Sequence, residues 1–448
     1  AYRVYDEFLP EDVEILPYLI DSRYPVTAEG TLHTSDPALD KVYDVCKWTL
    51  SICRQSLHLD SPSHQELLAC TGDYLVETNM TLFTFGDMRL AAQDIRRTAD
   101  WLMENDGRMF HTSYSLMWVQ WIRKVYTFTG DRALIRYCKD ALDTLLTRFH
   151  GYIGKNGILD NAPDYMFVDW LEMEGYNMHH PPKSLGQTVL CAFYYKALTD
   201  ACALCKVMER EPDGAWWTAK RASWASRMAS FRPAFHRALY DAETGLYIDG
   251  LSDEDEGDGW SRPKNVPLRH FTRHANVLAA MYGLCPEEER ERILRRAVDP
   301  ASDLQQVQPY YMYFILEAVW ENGLFGDYGM QLLALWKPLV ETCDKGLQEG
   351  WLGRNACLSS AALPDGASDR GAGLWQDHPV AEPVGTGFCR RVVPHTLRTD
   401  SGVPEGGRST ADHRTGRDQV GTGLRTRRIL RAFAPESANI WFFDAKAI

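Results

Sequence analysis

Asp60-Ser61-Pro62-Ser63-His64-Gln65-Glu66-Leu67-Leu68-Ala69-Cys70-Thr71-Gly72-Asp73 is the stretch around which the rest of the chain is organised. Its carboxylates, Asp60, Glu66 and Asp73, stand six and seven residues apart in a segment that cannot form one clean helix. Pro62 lacks a backbone donor and biases Ser61 away from helical angles. Gly72 relaxes the backbone just before Asp73, which can cap the apolar-periodic helix that follows. The segment therefore reads as helix, loop, helix. Carboxylates presented from irregular chain between rigid elements are placed as catalytic groups commonly are. The plainer reading is capping: an Asp before Pro and an Asp after Gly are ordinary cap residues, and a solvated Glu66 needs no function.

Working outward, Ser35-Asp36-Pro37 predicts a helix start, with a cap residue and then Pro in the first turn. Leu39, Val42, Tyr43, Cys46, Leu50 and Cys53 follow at helical spacing. Downstream, the periodicity predicts helices over 73–84, 88–104, 113–129 and 131–150. The links Gly86-Asp87 and Gly130-Asp131 are alike, each a Gly stop followed by an acidic start. Residues 151–182 read as loop and carry Asp169-Trp170-Leu171, with Glu172 and Glu174 behind. Helices resume over 184–209, 215–237, 270–282, 286–298, 306–323 and 326–341. The result is about eleven helices, mostly antiparallel neighbours with short links. No strand–helix alternation supports a parallel sheet, and no constant period suggests a solenoid. The fold class is all-α.

The two ends differ from this middle. Residues 1–34 show short extended runs (Val13-Glu14-Ile15-Leu16, then Tyr24-Pro25-Val26) broken by Pro and Gly, as at the end of a β-rich region. The chain begins at Ala1 without a charged-then-apolar leader, which fits a fragment or a processed form. From 353 to 448, Gly, Asp, Arg, Thr and Pro dominate, and apolar periodicity vanishes until Ile440-Trp441-Phe442-Phe443. That composition predicts an irregular, poorly ordered tail, and the abrupt change fits a truncated or out-of-frame segment. The expected organisation is a remnant over 1–34, a helical domain over 35–352 and the tail.

Composition narrows the function. The 448 residues are 45% hydrophobic and 24% charged, as in ordinary globular chains. A net charge of −13, with no basic stripe in the first 350 residues, argues against nucleic-acid binding. No run of eighteen apolar residues predicts a membrane span. The 11 cysteines are irregularly spaced, and only Cys202 and Cys205 lie close together, within a helical pattern. They read as buried free thiols, and the expected compartment is reducing, the cytoplasm. Residues 252–259 form an acidic run without the ligand pattern of a calcium loop. His270 and His274 are four apart and can share a helix face, but lack the Glu of a zinc-protease motif, so they read as structural or cleft histidines. No cofactor or metal is expected. The 14 tryptophans suit a sugar-stacking cleft as well as a core.

Asp60, Pro62, Glu66, Gly72 and Asp73 match, in register, a pattern that resembles the signature of bacterial α-L-rhamnosidases, glycoside hydrolase family 78. That family usually has Arg where His64 stands, an acid where Gln65 stands and Trp where Cys70 stands. The resemblance implies an (α/α)6 barrel of helical hairpins, with Glu66 as general acid and Asp60, His64 and Asp73 holding the sugar. Asp169 and Trp170 are similar to a Gly-Asp-Trp-Leu segment that faces the sugar there, with Val168 in place of the Gly. Glu349, between Gly346 and Trp351, occupies by order the place of the family's general base, although the Thr-Thr and Trp before that Glu are absent. Trp351 is then a cleft residue, and Glu341 and Glu321 are the alternative bases.

What the resemblance implies is an inverting glycosidase that releases terminal α-L-rhamnose from a carbohydrate partner without a metal. Two other readings remain: a different sugar on the same scaffold, since His64 and Cys70 depart from the usual residues, or a helical domain that binds sugar without turnover. A terpenoid cyclase also uses helical barrels, but its Asp-rich magnesium motif is not evident.

Overall fold

A computed structural model describes residues 19–21, 23–26, 30–60, 70–160, 162, 166–173, 176–178, 181, 183–251, 270–338, 340 and 391–393. The helices are α1 (Pro37–Cys53), α2 (Thr71–Thr84), α3 (Arg89–Glu104), α4 (Thr112–Thr129), α5 (Arg132–Tyr137), α6 (Lys139–His150), α7 (Lys183–Met208), α8 (Gly214–Leu239), α9 (Arg273–Met281), α10 (Glu287–Val298), α11 (Pro309–Glu321) and the short α12 (Met330–Leu333). Among the described residues, strand is confined to three two-stranded ladders. The architecture is all-α, a barrel of helical hairpins.

Local chemistry explains most boundaries. Asp36 caps α1, its carboxylate accepting from the amide of Ala38 ahead of Pro37 at the first helical position. Gly86 and Gly130 stop α2 and α4 at φ values of +65° and +66°, where a side chain would be strained. Asp131 then caps α5 by accepting from the amide of Leu134. Asp87 does the corresponding work for α3, accepting from the amide of Arg89.

Burial sorts the helices into two rings. α2, α4 and α9 are buried around most of their circumference over long stretches: residues 71–78, 112–122 and 273–280 respectively. α3 and α10 bury a single face, with Leu90, Ile95 and Leu102 on one and Ile293, Leu294, Ala297 and Val298 on the other. The inner helices pack in series, α2 on α4, α4 on α7, α7 on α9 and α9 on α11. The helices between them in the chain, α3, α6, α8 and α10, lie outside as the other arms of the hairpins. Residues Gly186–Met208 of α7 are long and apolar enough to cross a bilayer, but most of that surface is buried inside the domain. A helix shielded on every side must be apolar all round, which is why α7 reads that way.

The outline differs from the sequence reading in four places. The helix expected over 131–150 is hitched at Cys138, which separates α5 from α6. The helix expected over 326–341 breaks into a π-helical turn, Phe325–Gly329, then α12, then a 3-10 turn, Ala334–Trp336. Two glycines, Gly326 and Gly329, let the backbone leave the α geometry there, and Gly329 lies against the Phe325 ring. The segment read as loop over 151–182 holds a small hairpin of β2 (Glu172–Met173) with β3 (Tyr176–Asn177). α9 begins at Arg273, so His270 precedes it and does not share a helix face with His274. A further hairpin, β4 (Tyr240–Asp241) with β5 (Leu246–Tyr247), follows α8.

Residues 19–21 and 391–393 belong to a second unit of the chain. Within it, β1 (Leu19–Asp21) pairs antiparallel with β6 (Arg391–Val393), Leu19 opposite Val393. The extended run at Val13-Leu16, the acidic run at 252–259 and the rest of the tail lie outside the described residues.

Candidate functional site

The turn after α1 delivers Asp60. Arg54 and His58 form an antiparallel bridge, and the amide of Leu59 donates to the carbonyl of Cys53 at 2.9 Å. The main-chain N–H and Nδ1–H of buried His58 both donate to Asp94 Oδ2 at 2.8 Å, pinning the turn to α3. Asp60 follows in a half-buried position.

Asp73 enters in the first turn of α2, 5% exposed. Thr71 Oγ1 donates to the carbonyl of Tyr114 at 2.7 Å, and Trp121 Nε1–H donates to Thr78 Oγ1 at 2.7 Å, so α2 lies flush on α4. Gly72 permits the closest approach: a Cβ there would stand 2.5 Å from the Tyr114 ring and 2.6 Å from the Tyr310 hydroxyl. Glu77, one turn beyond Asp73, is fully buried. Burial first, then the charges of Asp73 and Asp60, hold its carboxyl well above the usual range. Asp60 and Asp73 thus belong to one carboxyl group.

An aromatic wall joins this group to the segment before α7. Phe167 packs edge-on against Tyr114 at 5.3 Å, Tyr310 at 5.7 Å and Trp170 at 5.3 Å between ring centroids. The Tyr114 and Tyr310 hydroxyls are pushed well up, first by burial and next by the negative charge of Asp73, so they remain neutral phenols. Asp169 acts on Tyr310 in the same sense.

Asp169 is fully buried and engaged with protein donors. Its Oδ1 accepts from the amide of Trp170 at 2.9 Å. Its Oδ2 accepts from the amide of Gln308 at 2.9 Å and from His274 Nε2–H at 2.8 Å. Tyr311 donates to the carbonyl of His274 and packs its ring against the imidazole at 4.3 Å. Asp169 therefore fixes the Trp170 backbone, and Trp170 itself is 44% exposed.

One geometric feature unites these residues. Asp73, Tyr114, His274, Tyr310 and Tyr311 each occupy the first turn of an inner helix, and Gln308 immediately precedes α11. Helix N-termini carry unpaired amides and a partial positive charge, which favour carboxylates and developing oxyanions. The electrostatics of this end of the barrel thus suit two acids, Asp73 and Asp169, set among neutral phenols.

Of the residues singled out for the site, Asp60, Asp73, Asp169 and Trp170 are described, and aromatic side chains and shared electrostatics connect them; the alternative base Glu321 ends α11, at the other end of that helix from Tyr310. His64, Glu66, Glu349 and Trp351, with the fallback Glu341, lie outside the described residues. Cys70 is buried at the start of α2. Glu77, Tyr114, Phe167 and Tyr310 were missed. Glu77 had a legible signal, since it stands four residues beyond Asp73 on the same helical face. The aromatic residues had none, because core positions on other helices read alike.

His270 pairs with buried Asp249 at 2.6 Å, whose other oxygen accepts from Thr272. Cys202 and Cys205 are free thiols that burial pushes up to about 11 and about 12, respectively. Neither is a ready thiolate at neutral pH. A cleft of about 500 Å³ beside Tyr195 and Arg232 and one of about 350 Å³ beside Tyr24 and Trp48 are not lined by Asp60, Asp73, Asp169 or Trp170.

The helical barrel recurs in solved structures. A GH78 family rhamnosidase of Bacillus sp. GL1 is similar with a TM-score of 0.56 and 20% identity, covering 70% of this chain and 31% of that one. A rhamnosidase from Klebsiella oxytoca, solved with rhamnose bound, is similar with a TM-score of 0.52 and 19% identity, covering 72% of this chain and 58% of that one. The chain therefore spans about a third of the first and somewhat over half of the second. A search of curated proteins found no match.

Hairpins of helices packed in this way are the architecture of a six-hairpin glycosidase domain. Residues 27–306 match the bacterial α-L-rhamnosidase six-hairpin glycosidase domain, and the chain belongs to that family.

Proposed function

We propose that this domain hydrolyses terminal α-L-rhamnosides with inversion. The observation that carries the proposal is the placement of Asp73, paired with Gly72 against Tyr114 and Tyr310, where the inner helices begin in a chain of the rhamnosidase family. Asp60 and Asp73 bind sugar hydroxyls and oppose the positive charge that develops at the anomeric carbon. Trp170 offers its exposed ring face to the sugar, and Asp169 orients it.

Glu66 is the proposed general acid, which protonates the leaving oxygen. Glu349 is the proposed general base, which takes a proton from the attacking water. An inverting pair needs a carboxyl separation of about 6.5–9.5 Å to admit that water.

The test is hydrolysis of a nitrophenyl α-L-rhamnoside by the chain, with anomer analysis by NMR, compared with Glu66→Gln and Glu349→Gln. Loss of turnover in both variants with the β-anomer released first supports the assignment. Wild-type rates in Glu66→Gln remove that residue from the mechanism. A panel of other nitrophenyl glycosides tests a different sugar, the reading favoured by Cys70 in place of Trp. Measurable rhamnose affinity with no turnover in a longer form of the protein would mark a binding domain instead.

A further inference from the structure

We infer that Glu77 is a proton-holding member of the carboxyl group at the start of α2, a positioning residue that adds no negative charge of its own beside Asp73 and Asp60. Its kinetic consequence rests on the hydrolase reading; its protonation state does not.

Glu77 is completely buried, and among the described residues neither carboxyl oxygen has a hydrogen-bond partner. Among the described residues, charged and titratable groups act on it from α1 and the turn after it, from α3 and from its own helix. Asp73 lies on its own helix, Asp60 in the turn after α1, Arg54 and Cys53 at the end of α1, and Asp94 on α3. Three are carboxyls, and one is a cation.

That cation does not close an ion pair. Arg54 donates Nη2–H to the carbonyl of Asp87 at 3.1 Å. Its guanidinium lies over the rings of Tyr24 and Phe85, at 4.9 and 5.3 Å, while Nε and Nη1 have no hydrogen-bond partner among the described residues. A buried carboxylate without a hydrogen bond or a bonded cation is costly, and taking up a proton removes that cost.

Position along α2 sorts the two acids of this helix. Asp73 is in the first turn, where the exposed amides favour negative charge, and Glu77 lies a turn deeper, where that help has faded. Burial and the neighbouring charges push the Glu77 carboxyl in the same direction. When carboxyls crowd together, the most desolvated one keeps the proton.

Infrared difference spectroscopy of the full chain tests this without any substrate. Wild type minus Glu77→Gln should show the C=O stretch of a protonated carboxylic acid above neutral pH, where Glu321, pushed up to about 7, is mostly ionised. Absence of that band overturns the inference. If Glu77→Gln does not fold, ¹³C-glutamate labelling of the wild type decides, because a spectrum with no labelled protonated carboxyl above neutral pH also overturns it. In the kinetic arm, Gln mimics the neutral acid, so the acid limb of the pH–rate profile stays in place. A limb displaced to lower pH would mean that Glu77 carried charge, and would overturn the inference too. A chain that hydrolyses no rhamnoside sinks the hydrolase reading alone, and the infrared result still stands or falls separately.

Discussion

His274 Nε2–H donates to Asp169 Oδ2 at 2.8 Å, with both side chains fully buried and 105 residues apart in the chain. The contact joins the first turn of α9 to the segment that presents Trp170. Removing one member of such a pair strands the other. Asp169→Ala is expected to cost about 3–5 kcal/mol of stability, and Asp169→Asn less, because its one amide oxygen can still replace one of the two carboxylate oxygens, either the one facing the Trp170 amide or the one facing His274 and the Gln308 amide. Urea unfolding of both variants checks this, and equal midpoints for Asp169→Ala and wild type would contradict it.

Trp170 is expected to behave in the opposite way. It is 44% exposed and its ring touches Phe167 edge-on, so Trp170→Ala should change the melting temperature by only a few degrees, about 2–4 °C. Loss of a stacking surface for the sugar should raise KM for a nitrophenyl rhamnoside by about tenfold, roughly 1.4 kcal/mol. Steady-state kinetics beside a thermal melt separates the two effects.

Gly72→Ala tests the close approach of α2 to the tyrosines. The added methyl would meet Tyr114 and Tyr310 ring and hydroxyl atoms at 2.5–2.7 Å. Two packed rings on different helices cannot both yield. A loss of about 1–3 kcal/mol is expected, together with reduced turnover as Asp73 shifts. Gly72→Ala paired with Tyr310→Phe, which removes the hydroxyl, should recover part of the stability.

Glu77 makes stability depend on pH. Its folded-state carboxyl is held above the ordinary value, so the unfolded chain releases that proton first as pH rises. The contribution is fully present below the unfolded value of about 4.3 and is lost as pH climbs towards the folded one. Stability of the wild type should fall over that interval by up to roughly 1.4 kcal/mol per pH unit from this group. Glu77→Gln removes the dependence and should gain stability relative to wild type at neutral pH but not at acid pH. Denaturant titrations at both pH values check the sign.

Much of the architecture was legible because helices announce themselves locally. Asp36-Pro37 opened α1, and the Gly-Asp links at 86–87 and 130–131 closed and reopened helices within a residue or two of the expected places. Where two signals competed, local reading failed. Gly326 and Gly329 sat inside an apolar pattern, and the backbone followed the glycines rather than the pattern. His270 and His274 stood at helical spacing, yet Thr272 caps α9 between them by accepting from the amide of Ala275.

The candidate site divides in the same way. Asp60, Asp73, Asp169 and Trp170 were candidates from the resemblance of short motifs, which depend only on the order of residues along the chain. Which helices supply the wall around them could not be read that way, because Tyr114 and Tyr310 contact Gly72 only after α2, α4 and α11 have packed. The residue pattern alone determined most of the helices and several of their caps, since those depend on neighbours a few positions away. Only the tertiary structure decided that Asp169 is spent on His274 and Gln308, that Trp170 is left to solvent, and that Glu77 is sealed away from water. Burial and long-range pairing set those outcomes, and neither is a property of any short stretch of chain.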